Sequence, residues 1–345
     1  MIESKNANRR QFLHRASLGV GAGLASQTVQ AVPAPVETGR RLPREVWVAA
    51  VSQEGMPGGT PDAVTGMLIE RMEEIAPMKP DIICLPELAS FSNLGGGRSE
   101  VERVAEKPPG PFSSRFADFA HKHRCYVFCG LYTRDSDRYY NAMVLLDRQG
   151  QVSGEYRKMH PTEGEMKKGV SPGPSEPPVF ETDFGKIGGQ ICFDIEWQDG
   201  WEKLQKAGAE IVFWPSAFGG GQKLNMLANL NRYVVVSSTQ KGASRVCDIS
   251  GETLALTGRW DRSLCIPVNL EKVFIHTWPY AERFGDMRKK YGQDIRIVTF
   301  HDEEWTIIES RAPDVSVAEV LQEYDIRTYE QMIRDADAAR ANLGS

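Results

Sequence analysis

The chain has 345 residues, 41% of them hydrophobic and 25% charged, and a formal net charge of -5. That balance describes an ordinary folded protein, gives no sign of a nucleic-acid binder, and leaves room for a sizeable core without disulfides. Cys84, Cys125, Cys129, Cys192, Cys247 and Cys265 are scattered, and the one close pair brackets an apolar strand-like run, so no metal cluster is expected.

The first segment reads as an address and not as part of a fold. Asn8-Arg9-Arg10-Gln11-Phe12-Leu13-His14 precedes a weakly apolar Gly/Ala-rich stretch, Ala16 to Ala25, and small residues follow around Val29-Gln30-Ala31. This resembles a twin-arginine signal peptide over residues 1–31, with a Pro-rich linker over 32–43. Export to the periplasm or the cell exterior is the expectation; a disordered basic leader is the alternative. The apolar run is too short and too rich in glycine to make a stable membrane anchor.

From Val46 the pattern is strand, helix, strand. VWVAAVSQ leads to a helix from Asp62 to Ala76, started by Pro61-Asp62 and stopped by Pro77 and Pro80. Asp81 to Leu85 is a near-continuous apolar run, as a strand buried on both faces should be, and it ends in Pro86-Glu87. A carboxylate therefore follows directly on a buried strand. Asn93 to Pro111 reads as a long loop whose glycine triplet lacks the spacing of a phosphate-binding loop.

A helix from Phe112 to His123 is followed by CYVFCGLYT, YYNAMVLLD and the run Gln151 to Arg157, which read as consecutive antiparallel strands. At the end of the third stands Tyr156-Arg157-Lys158-Met159-His160-Pro161-Thr162-Glu163-Gly164-Glu165. Gly185 to Asp194, GKIGGQICFD, reads as a buried strand ending in a sharp turn at Cys192. A thiol there is held by rigid backbone, with the amides of Phe193 and Asp194 expected to point at whatever reacts with it. A helix from Trp197 to Ala207 and buried strands at Glu210 to Trp214 and Tyr233 to Ser238 follow.

Leu85-Pro86-Glu87, Tyr156-Arg157-Lys158 and Ile191-Cys192-Phe193-Asp194, in that order, resemble the signature of the nitrilase, or carbon-nitrogen hydrolase, superfamily. NAMVLLDRQGQVSGEYRK, PVFETDFGKIGGQICFD and AGAEIVFWPSAF support the match, which covers roughly Val46 to Asn269. The resemblance implies an α-β-β-α sandwich, an α/β fold of four layers, over 44–279, commonly paired with a second subunit, so a homodimer or higher homo-oligomer. Two strand-like runs between Leu264 and Thr277 are expected to finish the sandwich. The tail, 280–345, departs from the family's core; its last helix carries an apolar stripe of Tyr329, Met332, Ile333 and Ala336 that packs on its own subunit or on a partner.

What the resemblance implies chemically is a Glu-Lys-Cys triad: Cys192 as nucleophile, Glu87 as general base and then acid, and Lys158 with the Phe193 amide stabilising the oxyanion. No cofactor is needed. A fourth residue, a glutamate that positions lysine and substrate, is expected at Glu165 in preference to Glu163. His160 does not make a papain-type pair, because the other parts of such a site are missing.

Cys192-Phe193-Asp194 looks more like the amidase and carbamoylase branches than the Cys-Trp-Glu of true nitrilases. A small-molecule amide or N-carbamoyl amine is thus the leading substrate class. A nitrile hydrolase and a non-catalytic binding protein on the same fold are the alternatives. Where carbamoylases of N-carbamoyl amino acids often place arginine, this chain has Ile195-Glu196. Glu196 is therefore expected either to line the pocket and disfavour acidic substrates or to turn outward as a first-turn helix acid, with Arg232 or Arg245 as other candidates to hold a carboxylate.

Overall fold

A computed structural model describes residues 42–92 and 98–343. The arginine pair at Arg9-Arg10, the expected cleavage point and most of the linker lie outside the described residues. In chain order the elements are β1 (Glu45–Val51), α1 (Pro61–Ile75), β2 (Ile82–Cys84), α2 (Arg98–Val104), α3 (Ser113–His123), β3 (Tyr126–Asp135), β4 (Arg138–Leu146) and β5 (Val152–Arg157). Next come α4 (Glu163–Lys167), β6 (Phe180–Thr182), β7 (Gly185–Gly189), α5 (Asp199–Lys206), β8 (Ile211–Ser216), α6 (Gln222–Asn231), β9 (Val234–Thr239), β10 (Arg245–Cys247), β11 (Thr253–Leu256) and β12 (Ser263–Asn269). The chain ends with β13 (Lys272–His276), α7 (Phe284–Tyr291), β14 (Ile295–Phe300), β15 (Trp305–Ser310), α8 (Val317–Glu323) and α9 (Tyr329–Leu343).

Two six-stranded sheets form the centre, ordered β12-β1-β2-β3-β4-β5 and β11-β10-β9-β8-β7-β6. Each has three parallel strands in the middle and antiparallel strands on the flanks. Along β1, Val48 and Ala50 face the other sheet while Ala49 and Val51 face the helices. Burial on both faces is what makes the strand read as a continuous apolar run.

Between the sheets, Val48, Ile82, Phe128 and Met143 pack with Ile187, Ile211, Phe213 and Val236. Outside the first sheet Leu68, Met72, Phe116 and Ala120 of α1 and α3 cover Ile83, Val127 and Val144. Outside the second, Trp201, Leu204, Leu224 and Leu227 of α5 and α6 cover Val212, Trp214 and Val235. Helix, sheet, sheet, helix is the four-layer α-β-β-α arrangement expected.

Three expectations are corrected. The stretch read as one loop contains α2, whose Val101 and Val104 are buried three residues apart; a seven-residue helix is too short to show a periodic pattern. Of the two runs expected to finish the sandwich only β12 does so, against β1. β13 instead pairs with β15, and β15 with β14, in a separate antiparallel sheet ordered β13-β15-β14. Ile275 and Ile308 of that sheet share a core with Phe284, Met287, Val320 and Leu321. The helix expected from Trp197 begins at Asp199, because a 3-10 turn over Cys192–Glu196 comes first.

In α9, Tyr329 packs on Phe274 and Trp305 of the same chain, with ring centroids 6.0 and 6.5 Å apart, whereas Ile333 and Ala336 are exposed. The stripe is thus only half satisfied by its own subunit. No helix among the described residues is long and apolar enough to cross a membrane.

Candidate active site

Three strand ends meet at one edge of the sandwich. Glu87 stands three residues past β2, Lys158 directly past β5, and Cys192 three residues past β7. All three are buried, with Lys158 only 1% exposed. Lys158 Nζ donates to Glu87 Oε1 and to Glu165 Oε2, each at 2.8 Å. The Glu87 carboxylate, Lys158 and the Ala217 backbone act on the Cys192 thiol.

The backbone explains why these side chains converge. A Cβ on Gly130 of β3 would lie 2.4 Å from the Pro86 carbonyl oxygen and 2.7 Å from the Leu88 nitrogen, so only glycine lets the Glu87 loop cross β3 so closely. Cys192 itself has φ of +47°, a left-handed conformation rare outside glycine. That turn lifts the thiol off the sheet edge and starts the 3-10 turn. Trp214 Nε1 pins it from below by donating to the Cys192 carbonyl at 3.0 Å.

Asp194 locks the cysteine turn to the lysine strand. Its fully buried carboxylate accepts from Ile191 N at 2.9 Å, Tyr156 Oη at 2.7 Å, His160 N at 2.8 Å and His160 Nδ1 at 3.0 Å. Its backbone amide donates to the Ile191 carbonyl at 3.0 Å, which corrects the expectation that this amide is free. The Phe193 amide precedes that first bond of the turn and remains the backbone donor available to an oxyanion. The Phe193 side chain is partly exposed and meets Trp197 edge to face at 5.3 Å, so it forms part of the rim.

Glu165 joins the cluster and Glu163 does not. The sequence Thr162-Glu163-Gly164-Glu165 closes a capping box on α4: Thr162 Oγ1 accepts from Glu165 N at 3.2 Å, and Glu165 Oε2 accepts from Thr162 N at 2.8 Å. The same carboxylate takes Lys158 Nζ and, at 2.6 Å, Asn141 Nδ2. Glu163 points to solvent and pairs with Lys167 at 2.5 Å. Glu165→Gln is therefore expected to lower kcat by more than about tenfold and Glu163→Gln by less than about twofold, measured as initial rates. The reverse order would show the fourth position to be misassigned.

Asn141 is the residue that sequence reasoning left without a role. Its Nδ2 bridges Glu87 Oε1 at 2.8 Å and Glu165 Oε1, holding the two carboxylates around Lys158. The signal was an amide inside the apolar run YYNAMVLLD, where a polar group must find partners once buried. Gln240 was also missed: its Nε2 donates to the Glu87 carbonyl at 2.6 Å and fixes the backbone beneath the carboxylate.

Glu196 does not behave as an uncompensated charge beside the pocket. It closes the 3-10 turn, is half exposed, and is held by Lys223 Nζ at 2.6 Å. The expected penalty against acidic substrates therefore has no source there. Nor do the two arginines supply a clamp at this edge: Arg245 Nη1 donates to Asn225 Oδ1 at 2.9 Å, and Arg232 lies over the Tyr329 ring at 4.0 Å. His160 is engaged by Asp194, which raises its pKa, and stacks on Trp197 at 4.3 Å.

The electrostatics set the protonation states. Burial pushes the Cys192 thiol up to about 12, and the Glu87 carboxylate adds to it, against the opposing pull of Lys158 and the Ala217 amide. A resting thiol is thus neutral at neutral pH and needs a base. Burial opposes the Lys158 charge, but Glu87, Glu165 and Cys192 more than offset it, so its pKa lies above the usual lysine range. For Glu165 burial is likewise outweighed, by Lys158 and by hydrogen bonds from Asn141 and Thr162, and its carboxyl sits below the usual range. A neutral thiol on a carboxylate, beside a fixed cation, is an arrangement suited to base-assisted attack on a polarised carbon.

The carbon-nitrogen hydrolase family matches residues 48–273. Among curated relatives, the chain is 33% identical over 153 residues to a hydrolase in the pqqF 5' region of Pseudomonas protegens, covering 43% of this chain and 53% of that protein. It is 28% identical over 211 residues to the citrullinase of Francisella tularensis, covering 52% and 73%. It is 30% identical over 164 residues to the deaminated glutathione amidase of mouse, covering 44% and 50%. For the first and third of these, the match spans about half of the relative's length. Among solved structures, an amidase from Nesterenkonia sp. shares the fold with a TM-score of 0.56 at 18% identity, over 72% of this chain and 97% of that one. With most of the chain matched, and with the buried Glu87, Lys158 and Cys192 brought together inside that match, the protein belongs to the carbon-nitrogen hydrolase family.

Proposed function

We propose that this protein hydrolyses a non-peptide carbon-nitrogen bond of an amide or N-carbamoyl amine through a thioester at Cys192. The observation that carries the reading is the convergence of the buried Cys192 thiol on the hydrogen-bonded cluster of Glu87, Lys158 and Glu165 at the strand ends. Glu87 takes the thiol proton as Sγ bonds to the carbonyl carbon, and the carbonyl electrons move onto oxygen. Lys158 Nζ and the Phe193 amide stabilise that oxyanion. As the tetrahedral adduct collapses, the carbon-nitrogen bond breaks and Glu87 returns the proton to the leaving nitrogen.

Water then enters, Glu87 takes one of its protons, and hydroxide adds to the thioester carbon. The carbon-sulfur bond breaks, the acid leaves, and Cys192 regains its proton. Glu165 touches no reacting bond in this scheme; with Asn141 it keeps Lys158 and Glu87 aligned. The relatives named for citrulline and amide hydrolysis support this substrate class.

The test is intact-protein mass spectrometry after rapid acid quench, with panels of amides, carbamoyl compounds and nitriles. An added acyl mass that is lost on longer incubation and is absent from Cys192→Ala is the expected result. Turnover without any acyl-protein in Glu87-competent enzyme, or no acylation across the whole panel, would remove the thioester reading.

A further inference from the structure

A polar cavity with a volume of about 250 Å³ is lined by Gln240, the residue that holds the Glu87 carbonyl. The Gln240 side chain holds the Glu87 carbonyl, and its backbone amide donates to Ser216 O at 2.9 Å. Gln240 thus stands between the cavity and the backbone of the Glu87 loop. Gln53, Glu54, Met56, Ser92 and Lys241 line it with Gln240.

Gln53 is 6% exposed, and its amide has one orientation available. Its Nε2 donates to the Ala89 carbonyl at 2.7 Å, and reversing the amide would set oxygen against oxygen. The other atom, Oε1, is buried and has no hydrogen-bond partner. A buried acceptor left in this state costs about 1–3 kcal/mol unless something donates to it. Its surroundings make the cavity a built polar site.

The charges on the walls are of both signs. Glu54 contributes a carboxylate whose Oε2 accepts from Gly242 N at 2.6 Å. Lys241 contributes an ammonium with no carboxylate partner among the described residues. The nearby guanidinium groups are engaged with backbone, Arg71 on the Ser52 carbonyl and Arg262 on the Glu54 carbonyl. Acceptors at Gln53 and Glu54 and a cation at Lys241 match a ligand that carries an ammonium and a carboxylate close together.

Resting on the hydrolytic reading of Cys192, we infer that this cavity holds the head group of an α-amino acid whose far end carries the scissile amide or ureido carbon. The ammonium donates to Gln53 Oε1 and Glu54, the carboxylate pairs with Lys241, and a short methylene spacer passes Gln240 to reach Sγ. Neutral walls of separated charge recognise the zwitterion better than either singly charged analogue, because each analogue leaves one wall group unpaired.

The experiment compares kcat/KM for L-citrulline, for 5-ureidopentanoate, which lacks the ammonium, and for N-carbamoylputrescine, which lacks the carboxylate. Propionamide, which has no head group, is the reference substrate. Wild type should prefer L-citrulline to both analogues. In Lys241→Met the ratio of L-citrulline to N-carbamoylputrescine should fall by about tenfold, as for the loss of one ion pair in a partly shielded site. In Glu54→Gln the ratio of L-citrulline to 5-ureidopentanoate should fall by a similar factor.

Ratios unmoved by either substitution would overturn the subsite, as would acylation of Cys192 by propionamide with none by the three ureido compounds. Absence of acylation by all four compounds would also overturn the subsite, whereas only its absence across the whole panel of amides, carbamoyl compounds and nitriles would overturn the hydrolytic reading with it. Both substituted residues are exposed, so the variants are expected to fold, and thermal unfolding midpoints check this.

Discussion

Lys158→Met is expected to lose both activity and stability, each for its own reason. Without the ammonium, the developing oxyanion keeps only the Phe193 amide, and loss of one such donor costs on the order of 10²–10³ in kcat. The stability loss comes from Glu87 and Glu165, which remain buried around a methionine of similar length. Breaking a buried ion pair by removing one partner costs about 3–5 kcal/mol, because the remaining charge is uncompensated. Here two carboxylates are left facing the same apolar side chain.

The pH dependence of that loss gives a second readout. In wild type the lysine pKa is raised on folding, so its contribution is fully present below the ordinary lysine pKa and is lost only as pH rises through the raised value. Stability near neutrality should be insensitive to this group. In the variant, two like charges in a dry site favour uptake of a proton on folding, so the folded state binds more protons than the unfolded one. Stability of Lys158→Met should therefore rise as pH falls from 8 to 5, measured by urea unfolding at each pH. A variant as stable as wild type at pH 8 would show that the lysine does not compensate these carboxylates.

Cys192→Ala is expected to remove turnover on the order of 10⁶-fold while the fold persists, since removal of a covalent nucleophile has costs of that size. The residue's left-handed backbone is no obstacle, because alanine and cysteine both carry a Cβ and bear the same strain. Only the sulfur is lost, from a site where it contacts a carboxylate, so the unfolding free energy should change by no more than about 1–2 kcal/mol. Initial rates with an amide that wild type turns over, together with a thermal melt, check both halves. Retained turnover in a folded alanine variant would end the thioester mechanism, whereas a collapsed fold would show that the sulfur is a packing group.

Glu87 and Cys192 were legible because each follows a buried strand, whereas Lys158 follows the largely exposed β5 and was legible through the resemblance to a family. A strand buried on both faces leaves a local signature, a continuous apolar run, and the point at which the run stops is visible in sequence alone. Leu85-Pro86-Glu87 and Ile191-Cys192 could therefore be placed at strand ends, while the preference for Glu165 over Glu163 came from the resemblance, and the capping box that holds Glu165 was seen only in the structure. The four-layer architecture was likewise available, through the order of strands and helices and the resemblance to a family.

What the sequence by itself determined was thus which residues stand at sheet edges, since periodicity and strand ends are properties of neighbours along the chain. Which groups pair across space was decided only by the tertiary structure. β13 looks like the last strand of a sandwich, but the strand that claims it is β15, more than thirty residues on. Glu196 looks like a charge in the pocket until Lys223, on a different helix, takes it up. Asp194 tying Tyr156 and His160 to the cysteine turn, Asn141 bridging two glutamates, and Lys241 lining one cavity with Gln53 and Glu54 all join residues distant in sequence. Hydrogen bonds and ion pairs act over about 3–4 Å, so they are set by whichever backbone segments the packed sheets bring within that range, and no local pattern encodes that choice.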